Sequence, residues 1–169
     1  LRGAGFRAPS EVRALALMVA FADSGFYDLR DTDGLPPEST QSEFLYAAHD
    51  SSFFAHLMQN VADYFDQNSG GRFRLQTSVH GAVVALDQPM AFYGDHPDEG
   101  EQPILLAQAA IAAVDDQVDF SQYDTLILIH AGAGEETDGN ADSPEQIYSN
   151  YLGVEDFQEA VDDTLLAQP

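Results

Sequence analysis

Residues 118–136 read VDFSQYDTLILIHAGAGEE. The stretch opens with a polar approach that holds Asp119 and Asp124 beside Phe120 and Tyr123. Leu126, Ile127, Leu128 and Ile129 then form an unbroken apolar run. Its shortness and its glycine boundary predict a strand buried on both faces rather than a helix. His130-Ala131-Gly132-Ala133-Gly134 turns the chain, and Glu135 and Glu136 follow. Small residues in such a turn let backbone pass close to a neighbour or take positive φ. Loops beyond strand ends are where α/β sheets bind ligands, which makes His130 a candidate cleft residue.

Working outward, residues 12–21 (VRALALMVAF) are apolar almost throughout and read as a strand. A helix also suits them, because Ala and Leu favour it. Residues 25–41 hold Asp28, Asp31, Asp33 and two prolines and read as a solvated loop. An EF-hand starting at Asp31 fails there, since Pro36 and Ser42 stand where Gly and Glu are required. Residues 53–67 follow the 3.6-residue period through Phe54, Leu57, Met58, Val61, Tyr64 and Phe65, with Ser51 or Ser52 as the expected cap. Asn68-Ser69-Gly70-Gly71 is the expected stop.

Residues 72–79 alternate as a half-buried strand. Gly81 predicts a break, with residues 82–86 resuming as a strand or as the second arm of a hairpin. Residues 95–102 are an acidic loop, and residues 104–114 (ILLAQAAIAAV) predict a helix covering the sheet. Tyr151 and Leu152 suggest a short strand, and residues 154–166 a last amphipathic helix. The alternation predicts one α/β (α+β) domain over 1–169, a mixed twisted sheet with packing helices.

Charge disfavours several partners. The chain carries a formal net charge of -23 over 169 residues, and all six of its basic residues are Arg. The asymmetry is sharper still: residues 1–74 hold ten acids and every Arg, whereas residues 75–169 hold nineteen acids and no Lys or Arg. No cationic stripe exists to neutralise phosphates, so nucleic acid and anionic membranes are poor partners for such a surface. No apolar run approaches the roughly 18 residues that span a bilayer. Eleven Phe and seven Tyr supply a core and argue against disorder. Cysteine is absent, which removes disulfides, thiolate nucleophiles and Cys-based zinc sites. The first residue is Leu1 rather than Met, and the expectation is a processed or trimmed chain, in which a removed signal peptide would leave no trace.

The candidate chemistry is sparse. The histidines are His49, His56, His80, His96 and His130, and no two stand four apart as a zinc helix needs. His49 and His56 would lie ~10 Å apart along a helix, too far to share one ion. No Gly-x-Ser-x-Gly elbow or phosphate loop occurs. Glu135, Glu136, Asp138 and Asp142 could offer oxygen ligands to calcium, as could Asp115, Asp116, Asp119 and Asp124, although acids in so acidic a chain are more often solvated.

Three segments resemble, in the same order, secreted zinc metallopeptidases of the immune inhibitor A type. One is the Asp119-Phe120 approach, the apolar strand and the His130-Ala131-Gly132 turn followed by acids. A second is Val61, Asp63, Tyr64, Asn68, Ser69, Gly71, Arg72 and Phe73, continuing to Pro89, Tyr93 and Gly94. The third is Ser149-x-Tyr151-Leu152 with Glu155-Asp156. Those peptidases also open with a hydrophobic strand ending in Phe and then an acid, here Phe21 and Asp23, which favours the strand reading of residues 12–21.

The resemblance implies the N-terminal part of a zincin-like catalytic domain, acting on peptide substrates together with the remainder of the peptidase. Its zinc ligands would lie outside this chain, because no HExxH occurs here. Many members carry an acidic, glycine-containing insertion after the Tyr-Asp pair. Here Tyr123-Asp124 leads straight into Thr125, so calcium at that point is not implied. The alternative expectation is a non-catalytic acidic protein that self-assembles outside the cell, bridged by calcium through acids such as Glu135, Glu136 and Asp138.

Overall fold

The structure, a computed structural model, describes residues 10–26, 49–94, 101–132, 134 and 147–158. Three strands form one sheet: β1 (Glu11–Ala20), β2 (Arg74–Ala85) and β3 (Thr125–His130), in the order β2-β1-β3. Between them run α1 (Ser51–Ser69), α2 (Met90–Gly94) and α3 (Glu101–Ala112), with a 3-10 turn at Phe120–Gln122. The α/β expectation therefore holds.

The strands pair in parallel. Arg74 N–H donates to the Ser10 carbonyl and Leu86 N–H to that of Ala20. On the other side, Asp124 N–H reaches the Arg13 carbonyl and Ala131 N–H that of Val19. The expected mixed sheet is thus parallel throughout among the described strands. Gly81 causes no break, and residues 72–79 and 82–86 are parts of one strand, not two arms of a hairpin. β2 spends two more residues than β1 between its first and last pairings.

The described chain divides into two compact units. The first contains α1, the 3-10 turn and the opening segments of the strands. Its core is Ala14, Leu15, Ala16 and Leu17 of β1 with Met58 and Ala62 of α1. The helix starts on Asp50, whose carboxylate accepts from Ser52 N–H and Phe53 N–H, each at 3.0 Å. Asp50 rather than Ser51 or Ser52 is the cap because it precedes the first helical residue in extended conformation, where its side chain can turn back onto free N–H groups. The helix ends as expected at Gly70. Gly70 N–H bonds the Gln67 carbonyl and Gly71 N–H that of Asp66, with Gly70 at φ 63°. This pair of reversed bonds needs a left-handed residue, which glycine supplies without a Cβ penalty.

The second unit contains α2, α3 and the closing segments of the strands. Met18, Val19 and Phe21 bury against a core that includes Val84, Leu86, Tyr93, Ile104, Ala107, Ala110 and Val114, and α2 packs on α3. Gly134 makes a parallel bridge with Ile147, a pairing the sequence did not suggest. Tyr151 and Leu152 are not in a strand, and of the last expected helix residues 154–158 are helical, the rest lying outside the described residues.

Candidate functional site

Where parallel strands end, their connections diverge. In the order β2-β1-β3 the chain leaves β1 toward β2, while β3 lies on the other side of β1. In open parallel sheets such a reversal marks the usual ligand position, beyond the carboxyl ends of the two strands. The groups at this end all belong to the second unit: Phe21 to Ser24 after β1, Met90 and Tyr93 of α2, and His130 at the end of β3 with Ala131 and Gly132 after it.

These groups are held by short-range forces that can be named. Phe21 N–H and the Ser24 carbonyl close a tight turn at 2.7 Å. Ala22 N–H donates to the Gln88 carbonyl at 3.0 Å, and the Asp23 carboxylate accepts Met90 N–H at 2.9 Å, capping the start of α2. Aromatic packing continues the assembly: the Phe21 ring lies 5.7 Å from Tyr93 and 6.2 Å from the His130 imidazole. Burial, and secondarily the charge of Asp87, raises the Tyr93 hydroxyl above its ordinary value. Tyr93 is therefore a neutral phenol at physiological pH.

Gly132 has φ 92°, and a Cβ placed on it would stand 2.9 Å from Met90 Sδ. The turn after β3 thus requires glycine for its backbone, and the lack of a side chain lets Met90 approach. His130 is half-buried, and its Nδ1 lies 3.0 Å from the Ala131 carbonyl oxygen.

The other acids weighed as metal ligands have local structural tasks. Asp119 accepts Ser121 N–H, Ser121 Oγ and Gln122 Nε2, fixing the 3-10 turn. These bonds, that of the Ser121 side chain foremost, hold its carboxyl below the usual range. Asp124 receives the Arg13 backbone N–H at 2.8 Å and the guanidinium at 3.1 and 3.2 Å. The Arg13 side-chain bond is the main reason its carboxyl is also held low. A shallow hollow of about 200 Å³ beside this pair is lined by Leu15, Phe120, Tyr123, Asp124, Thr125 and Leu126.

Asp115 and Asp116 are exposed past α3. His49 packs on Phe53 and Phe54, His56 is exposed and His80 half-buried in β2. His96, Glu135, Glu136, Asp138 and Asp142 lie outside the described residues. Among the described residues no three His, Asp or Glu side chains gather in a way that could hold a metal ion. Nor is any helix of the described residues long and apolar enough to cross a membrane.

Of the sequence candidates the structure thus positions His130, with Phe21, Asp23 and Tyr93 of the family-like positions near it, and it adds Met90 as a neighbour that no local pattern marked. No protein-family model matches the chain, and no curated protein matches it in sequence.

Proposed function

We propose that this chain is the N-terminal part of a secreted zinc-dependent endopeptidase, supplying the sheet and one wall of the peptide cleft. One observation carries the reading. Phe21 with Asp23, Tyr93, and His130 to Gly132 drew notice separately as family-like positions, far apart in sequence, and they converge at one end of one sheet. A wall of this kind orients a peptide; it does not cleave one. Cleavage needs a Lewis-acidic zinc and a water it activates, and those ligands would come from residues outside this chain.

The natural gene product tests this. Expected are an HExxH helix encoded beyond Pro169 and peptide hydrolysis that a chelator abolishes and zinc restores. Residues 1–169 alone are expected to cleave no peptide with or without zinc. A coding sequence without that motif, or a full product inert toward peptides in zinc, overturns the reading.

A second reading, an acidic extracellular assembly protein bridged by calcium, is favoured by one fact: residues 75–169 hold nineteen acids and no Lys or Arg. It predicts that millimolar calcium raises the melting temperature and drives association, and that a chelator reverses both. Indifference to calcium removes this reading.

A further inference from the structure

The contact between His130 and Ala131 has a chemical consequence. A carbonyl oxygen only accepts hydrogen bonds, so a hydrogen bond across this 3.0 Å contact has Nδ1 as its donor. In a neutral imidazole the proton on Nδ1 leaves Nε2 with a lone pair. Among the described residues no protein donor engages Nε2, whereas the ring lies 6.2 Å from that of Phe21 and its Nδ1 lies against the Ala131 carbonyl. A histidine whose second nitrogen is tied to a backbone carbonyl has its tautomer and orientation chosen before any ligand arrives. The placement agrees, since His130 is the last residue of β3 and stands at the carboxyl end of the sheet beside the reversal of strand order.

We propose that His130 is a ligand-contacting hydrogen-bond acceptor, held as the Nδ1–H tautomer so that Nε2 receives an N–H donor of a bound peptide. The peptide as ligand rests on the function proposed above; the tautomer does not. A backbone amide suits the position because a peptide laid across strand ends presents N–H groups at regular intervals, and a neutral acceptor takes one without burying a charge. The titratable groups on the packed elements are Asp23, whose carboxylate is engaged by Met90 N–H, and Tyr93, a neutral phenol.

The test is nitrogen NMR on the whole chain, labelled in histidine and held at a pH above the histidine range. Long-range proton–nitrogen correlations report which ring nitrogen bears the proton. The expected result is Nδ1–H for His130, the reverse of the tautomer that free imidazole side chains favour in water. Titration with acetyl-trialanine amide to concentrations on the order of 10 mM, enough to detect a millimolar complex, should move the Nε2 resonance and leave Nδ1 nearly still. An Nε2–H tautomer overturns the proposal, and so does an Nε2 signal that the peptide does not move. If both expected results appear and the full gene product still fails to cleave peptides with zinc, the acceptor role stands and the peptidase reading falls.

Discussion

β1 and β3 are both short, apolar and parallel to one another, yet they live in different environments. From Ala14 to Val19 of β1 every side chain is 3% exposed or less. In β3 the run from Leu126 to His130 is half-buried at every position. The apolar run of β3 was the natural candidate for the most buried strand, and its expected burial on both faces is corrected here. The cause is position in the sheet. β1 has a strand on each side, whereas β3 is the outer strand among those described. An apolar run predicts that a strand will bury surface; neighbours decide how much.

The comparison can be broken most sharply in the middle of the two strands. Leu17→Ala removes a fully buried side chain and is expected to cost about 3 kcal/mol in urea unfolding, within the usual range for buried leucines. Leu128→Ala, half-buried, should cost about 1 kcal/mol, in proportion to the smaller area it covers. Equal losses would show that β3 is as deeply packed as β1.

The next effect lies just beyond β3. Gly132→Ala forces a Cβ into a positive-φ position and toward Met90 Sδ, at an expected cost of about 1–2 kcal/mol. Because that sulfur ends a flexible side chain, the backbone strain sets the size. Gly25, with nothing near its absent Cβ and no positive φ, should tolerate Ala with little change. Parity of the two variants would refute a conformational requirement at Gly132.

Smaller still is the tie between the starts of β1 and β3. The Arg13 guanidinium holds the Asp124 carboxyl below its ordinary value. A carboxyl lowered on folding contributes stability that is fully present above its unfolded pKa and is lost as pH falls through the folded one. Wild type should therefore melt slightly above Asp124→Asn at neutral pH, with the gap closing on acidification below the ordinary carboxylate range. Both side chains are over 40% exposed, so the gap should also shrink in molar salt. A gap that widens in acid contradicts the assignment. Salt acts on the whole chain as well: with like charges dominating residues 75–169, 1 M sodium chloride should raise the melting temperature of either form by screening them.

Elements with strong local signals were legible. The period of α1, its Gly70-Gly71 stop and the apolar runs of β1 and β3 come from interactions within one turn or one strand. The single β2 was misread as two pieces because Gly81 resembles a local breaker, although a neighbouring strand can carry the ladder past it. Of the candidate site His130 was legible through its place after an apolar run, while Phe21, Asp23 and Tyr93 were noticed only as separate family-like positions. Asp23 drew notice only as the acid after the first strand; its bond to Met90 N–H spans 67 residues and leaves no period or spacing behind.

By itself the sequence determined the α/β class, the positions of the main elements, and a charge distribution in which residues 75–169 hold nineteen acids and no Lys or Arg. Those properties depend on residue type and on separations of a few residues. Only the tertiary structure decided that β1 is central, that the described strands run in parallel, and that Phe21, Tyr93 and His130 share one end of the sheet. The physical reason is that strand order and side-chain convergence are set by hydrogen bonds and packing between segments distant in the chain. Such contacts depend on which surfaces meet, and an apolar run carries no label for its partner.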